Sequence, residues 1–198
     1  MEKKSIAVFA SGSGTTFRAI LDHSRKKDSP FEVSCLVSDR AKSGAVGIAM
    51  ENGIEVLKYD TETTTVLKMK NPDLIVLAGF LKIIEPSLLK AFPDRIVNIH
   101  PSLLPSFGGK GFYGIKVHMA AIDYGVQYSG FTIHIVNSEV DRGPVIFQYA
   151  VPVLAEDSPE SLQERIHEYE LKYYPRIIQS MLQNNFRIDG NRFLLNLD

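Results

Sequence analysis

The apolar run Ser5–Ala10 is rich in β-formers and is cut short by Ser11-Gly-Ser-Gly14. From Thr15 to about Arg25, the apolar residues Phe17, Ile20 and Leu21 recur at helical spacing. Strand, glycine turn and helix form a first unit, and the pattern repeats. Phe31–Val37 reads as a strand, Ala45–Glu51 as a helix ended by Asn52-Gly53, and Ile54–Tyr59 as a third strand. Asp73–Ala78 is apolar after its first residue, as expected of a strand buried on both faces. Pro86–Ala91 predicts a short helix and Arg95–Ile99 a further strand.

The second half changes character. In Tyr128–Val136, Phe131, Ile133 and Ile135 alternate with Thr132, His134 and Val136, so the strand has two distinct faces. Pro144–Pro152 is a second long extended segment, placed to pair with it. Ser158-Pro159 with Glu160 starts a helix, and Leu162, Ile166, Tyr169, Tyr173 and Ile177 continue one stripe along it. Pro175 predicts a kink. Phe186–Phe193 reads as a hairpin around Asp189-Gly190.

Alternating strands and helices predict an α/β fold: a mostly parallel, twisted, Rossmann-like sheet with helices on both faces. The later strands add a C-terminal antiparallel extension. No repeat, low-complexity segment or linker divides the 198 residues, so one domain is expected.

Composition adds exclusions. Hydrophobic residues make up 44% and charged residues 23%, which excludes a disordered chain or a coiled coil. The net charge of −1 gives no basic footprint for nucleic acid or an anionic membrane. No apolar run approaches the roughly 20 residues of a membrane span. The apolar stretch after Met1-Glu2-Lys3-Lys4 is too short for a signal peptide. A single cysteine, Cys35, excludes an internal disulfide and a cysteine metal cluster, and fits a cytoplasmic setting.

The turn Ser11–Thr16 has the chemistry to hold phosphate. Backbone N–H groups at a helix start favour an anion, Gly12 and Gly14 allow close approach, and the hydroxyls of Ser11, Ser13, Thr15 and Thr16 add donors. The plain alternative is a tight connection without ligand. The third glycine of a dinucleotide fingerprint is missing, because Phe17 stands there. Gly108-Gly109-Lys110-Gly111 is no Walker loop: Leu104 stands where its first glycine is needed, and Gly111 replaces the Ser or Thr.

Asn98 and His100 lie two apart at a strand end, pointing to one face. An amide and an imidazole aimed together suit the stabilisation of an oxyanion, and the imidazole suits proton transfer. The alternative is a structural His before a stiff proline loop. Asp141, in Asn137–Pro144, reads either as a turn former or as the carboxylate that stabilises an imidazolium. His23, His118, His134 and His167 read as packing or surface residues, and no H-x-x-x-H or HExxH pairing suggests a metal.

Across nearly its whole length the chain resembles phosphoribosylglycinamide formyltransferases. The motifs that carry this are Ser11-Gly-Ser-Gly-Thr15, Leu77-Ala-Gly-Phe80, Asn98-Ile-His-Pro-Ser-Leu-Leu-Pro105, Gly130-Phe-Thr-Ile-His134, Asp141-Arg-Gly-Pro144 and Glu170…Tyr174-Pro175. The resemblance implies one formyltransferase domain over 1–198, with a phosphate-binding half (1–100) and a folate and catalytic-loop half (101–198). It implies transfer of formyl from 10-formyltetrahydrofolate, as co-substrate and without metal, to the glycinamide amine in purine biosynthesis.

The catalytic residues would be Asn98, His100 and Asp141. The ribonucleotide would meet Gly14, Thr15 and Thr16, and His167, Glu168, Tyr169 and Glu170, with Glu170 on the ribose. Folate would lie between Leu81, Lys82, Ile83 and Ile84 and the stretch Asn137, Ser138, Glu139, Val140 and Asp141, with Asn98 at the end. Partners would be small molecules, with no nucleic acid or membrane, and the chain a monomer or homodimer. Two departures stand out. Thr16 replaces the family's usual Asn. The stretch from Tyr59 to Asn71 is short, and its β-branched, polar Thr61–Thr65 predicts no full helix where the family has one.

Three alternatives remain at this point. A formyltetrahydrofolate hydrolase would carry an added N-terminal regulatory domain. A methionyl-tRNA formyltransferase would carry a C-terminal tRNA-binding domain. A non-catalytic nucleotide-binding module would not need Asn98, His100 and Asp141 together.

Overall fold

A computed structural model describes residues 3–184, 186–189 and 192–195. Seven strands form one sheet: β1 (Lys4–Phe9), β2 (Phe31–Ser38), β3 (Glu55–Lys58), β4 (Leu74–Leu77), β5 (Ile96–His100), β6 (Tyr128–Ile135) and β7 (Val145–Pro152). Their order is β3-β2-β1-β4-β5-β6-β7. The first five run parallel, while β6 pairs antiparallel with β5 and β7 with β6. The expected mostly parallel sheet and its antiparallel extension are both present.

Alternation along the strands splits the core in two. Ile6 and Val8 of β1 face one layer, Ala7 and Phe9 the other. The first layer packs α1 (Thr15–Ser24), α2 (Gly44–Glu51), α5 (Ile115–Tyr124) and the long α6 (Pro159–Leu182). The second packs α3 (Thr63–Lys70) and α4 (Pro86–Ala91) through Leu67 and Leu88. One feature departs from the sequence-based expectations. Helix α3 forms despite its β-branched start, because Leu67 is fully buried and the Thr63 hydroxyl accepts from the Asp60 N–H at 2.8 Å and donates to the Lys58 carbonyl at 3.2 Å. Burial and these local hydrogen bonds before the helix outweigh propensity there. Helix α6 runs through Pro175 as one element, capped at Ser158 by a box with Ser161. Strands β8 (Phe186–Asp189) and β9 (Arg192–Leu195) pair antiparallel as the predicted hairpin, whose turn residue Gly190 lies outside the described residues.

The strand order places a topological switch between β1 and β4. The chain leaves β1 toward β2 and returns to β4 on the other side, so the loops beyond these two strands diverge and open a crevice.

Candidate active site

That crevice is a cleft of about 1080 Å³ along the carboxyl ends of β1, β4 and β5. At one end lies the turn before α1. Gly14 sits in the left-handed region at φ 84°, and no side chain caps the helix, so its first N–H groups are left for water or a ligand. Gly14 must be glycine for a reason other than ligand approach: a Cβ there would stand 2.6 Å from Ala45 Cα and 2.8 Å from Ala45 N. Gly12, with open space around its Cβ position, is the residue that allows close approach. Thr15 and Thr16 line the cleft.

Helix α6 passes beside this turn. His167 Nε2 lies 2.9 Å from Thr15 Oγ1, and His167 Nδ1 lies 2.9 Å from Glu170 Oε2. The Glu170 hydrogen bond, against the cost of burial, raises the His167 pKa above its usual value. Helical geometry, at 100° per residue, separates the four expected residues of α6. His167 and Glu170 line the cleft. Glu168 is exposed on the outer surface, and Tyr169 packs its ring 4.7 Å from that of Tyr149.

The opposite end is walled by Leu81–Ile84 and by 137–141. Leu81 and Ile83 are exposed apolar side chains, and Lys82 stands 5.7 Å over the Tyr59 ring. No residue of 60–71 lines the cleft.

Between the two ends sits a polar cluster. His100 Nδ1 is 3.4 Å from Asp141 Oδ2, and His134 Nε2 is 3.6 Å from Asp141 Oδ1. His134 Nδ1 lies 2.9 Å from the Ile135 carbonyl, which can only accept. The neutral ring therefore carries its proton on Nδ1, and Nε2 accepts from Asn98 Nδ2 at 3.2 Å. That bond fixes the Asn98 amide and leaves its second N–H free. Burial opposes ionisation of Asp141, but the hydrogen bond that a charged His134 ring donates, the charge of His100 and the Gly109 N–H outweigh it and hold the carboxyl below the usual range. Asp141 is thus a carboxylate at neutral pH.

His118 of α5 is buried, and its Nδ1 has no partner. Burial foremost, then the charge of His100, lowers its pKa to about 4, so it is a neutral imidazole in the wall of the cleft. The sequence reads His118 and His134 as packing or surface residues. Both are buried, and both reach the cleft. For His134 a signal was available, since β6 alternation places it on the face away from Phe131 and Ile133. Arg40 also lines the cleft. Its position directly beyond a strand end was the signal for it. Among the described residues, no group of His, Cys, Asp and Glu is disposed to hold a metal ion.

Comparison with known proteins adds the family. Residues 4–178 match the family described as formyl transferase. A chloroplastic phosphoribosylglycinamide formyltransferase of Arabidopsis thaliana is 41% identical, the match covering 95% of this chain and 69% of that one. The phosphoribosylglycinamide formyltransferase of Haemophilus influenzae is 35% identical over 95% of this chain and 92% of its own. A solved phosphoribosylglycinamide formyltransferase from Anaplasma phagocytophilum superposes with a TM-score of 0.90 at 32% identity, covering 100% of this chain and 96% of that one.

Proposed function

The chain belongs to the formyl transferase family, and from that membership together with the cleft we infer that it moves a formyl group from 10-formyltetrahydrofolate to the amine of 5-phosphoribosylglycinamide. It is an enzyme of purine biosynthesis. The observation that carries the mechanism is the His100–Asp141 contact of 3.4 Å, with Asn98 two residues earlier on the same strand.

The amine nitrogen attacks the formyl carbon, and the carbonyl oxygen becomes an oxyanion. The free N–H of Asn98 and protonated His100 stabilise that charge. The intermediate collapses by breaking the bond to the folate nitrogen, which takes a proton from His100. Asp141, 3.4 Å from His100 Nδ1, orients the ring and takes up the amine's proton, directly or through water. The products are formylglycinamide ribonucleotide and tetrahydrofolate.

The substrates fit the ends of the cleft. The phosphate meets the uncapped start of α1 with Thr15 and Thr16, and the ribose hydroxyls meet Glu170. Thr16, with a single hydroxyl donor, serves where the family has an amide. Leu81–Ile84 and 137–141 hold the folate. The chain acts as one formyltransferase domain, with phosphate binding in residues 1–100 and the folate and catalytic loops in 101–198. No helix among the described residues is long and apolar enough to cross a membrane, and the lone, buried Cys35 accords with a reducing cytoplasm.

Steady-state kinetics tests this reading. Formyl should pass from 10-formyltetrahydrofolate to the glycinamide substrate, with little loss to water when that substrate is omitted. Asp141→Asn keeps an acceptor for the Gly109 N–H but removes the charge beside His100. It should lower kcat by about 10²-fold or more while KM changes little. Equally fast hydrolysis without the acceptor would reject the transfer reading. Wild-type kcat in Asp141→Asn would remove Asp141 from the chemistry.

A further inference from the structure

The motif Gly108-Gly109-Lys110-Gly111 takes no part in the mechanism above, yet it lies against the reaction centre. We propose that the strap 106–109 positions the His100–Asp141 pair through its backbone, and that it leaves Nδ1 as the sole nitrogen of His100 that exchanges protons. The proposal rests on the reading of His100 as the proton carrier.

The strap begins at the end of β5 and returns to it. Thr132 of β6 accepts from the Leu104 N–H at 2.9 Å and donates to the Ser102 carbonyl at 2.7 Å, and Gln148 of β7 donates to the Leu104 carbonyl at 2.9 Å. Ser102, fully buried, donates its hydroxyl to the Ser106 carbonyl at 2.6 Å. Pinned in this way, the chain brings two backbone groups of opposite polarity onto the pair. The Phe107 carbonyl lies 2.9 Å from His100 Nε2, and the Gly109 N–H donates to Asp141 Oδ2 at 2.9 Å.

Polarity then dictates protonation. A carbonyl oxygen only accepts, so Nε2 carries hydrogen in the neutral and the charged ring alike. Nδ1 faces Asp141 and is bare in one state and protonated in the other. An N–H only donates, so the Gly109 amide favours the ionised form of Asp141. Together the two groups orient the pair before substrate arrives.

The glycines follow from this geometry. Phe107 has φ 51° and Gly109 φ 93°, both left-handed, which turns the carbonyl of one and the amide of the other inward. Phe107 is held there by its ring, 6.4 Å from Phe112 and 6.1 Å from Tyr124. A Cβ on Gly108 would stand 2.3 Å from Leu104 Cδ2 and 3.4 Å from Asp141 Cβ. At Gly108 a side chain would crowd Leu104 and Asp141, whereas at Gly109 the space is open and only the left-handed φ disfavours one.

Long-range ¹⁵N–¹H spectra of histidine-labelled wild type read the tautomer directly. Neutral His100 should bear its hydrogen on Nε2. Gly109→Ala, strained at φ 93°, should lower kcat by about ten- to a hundredfold, as ångström-scale misplacement does, with both KM values within about threefold. Its kcat–pH profile should shift, and its spectra should show both tautomers of His100. Gly125→Ala is the control for strain: its φ is 79°, its Cβ would meet open space, and it lies at the far end of α5. It should lose thermal stability to a similar degree and keep wild-type kcat and pH profile. Neutral His100 with hydrogen on Nδ1 in wild type would overturn the proposal, as would a wild-type kcat–pH profile in Gly109→Ala. If the glycine variants do not fold, the wild-type tautomer alone decides. A wild type that forms no formylglycinamide ribonucleotide would instead reject the functional reading, whatever the tautomer.

Discussion

Replacing Glu170 by Gln isolates the part of the ribonucleotide site that its charge supplies. The side chain is 11% exposed and faces the cleft from α6. One carboxylate oxygen is engaged with His167 Nδ1 at 2.9 Å, and the remaining lone pairs are free for two vicinal hydroxyls. Glutamine has the same size but a single acceptor oxygen. If that oxygen stays on His167, the contact to Thr15 survives, and the ribose meets an NH₂ group in place of a carboxylate. The loss is about one charge-assisted hydrogen bond, roughly 1.5–3 kcal/mol. That is about a ten- to hundredfold increase in Kd for the ribonucleotide. Titration calorimetry measures it directly. The KM for the folate should stay within about twofold, because the folate walls come from other elements. An unchanged ribonucleotide Kd would make Glu170 only a partner of His167. A parallel rise in folate KM would show that the effect spreads through the fold.

Other outcomes follow from the same geometry. Gly14→Ala drives a Cβ into the Ala45 backbone at a left-handed φ, so it should destabilise the protein by about 2–4 kcal/mol, seen as a fall of roughly 5–15 °C in Tm. An unchanged Tm would refute the packing account of that glycine. His167 has a folded pKa raised chiefly by the Glu170 hydrogen bond, so its stabilising effect is fully present below about pH 6.5 and is lost as pH rises through the folded value. The stability difference between wild type and His167→Gln should therefore shrink from pH 6 to pH 8.5 in denaturant melts, and a difference that is constant over that range would contradict the assignment. Tyr174 is fully buried and shares its hydroxyl hydrogen between the carbonyls of Leu77, at the end of β4, at 3.0 Å and Val97, within β5, at 3.3 Å. Tyr174→Phe should cost about 1–3 kcal/mol in urea unfolding, with no change in midpoint counting against that bridge.

Periodicity and punctuation were enough to read the sheet, its antiparallel end and most helices, because those signals are local: buried parallel strands are continuously apolar, and Gly, Pro and Ser mark their ends. Helix α3 escaped because propensity is weak against the burial of Leu67, which only the sheet provides. Asn98 and His100 were legible together, being two apart on one strand. That Asp141 reaches them, 41 residues further on, was legible only through the resemblance; distance in the chain says nothing of distance in space. The tertiary structure alone decided the rest. It turned Glu168 and Tyr169 of α6 away from the cleft while His167 and Glu170 line it. It brought His134 onto Asn98 and Asp141, since the β5–β6 register sets Asn98 opposite His134. It also folded a glycine run without a sequence signature back onto His100 and Asp141. The contacts there run through backbone carbonyl and amide groups, which every sequence possesses and no side-chain pattern can reveal.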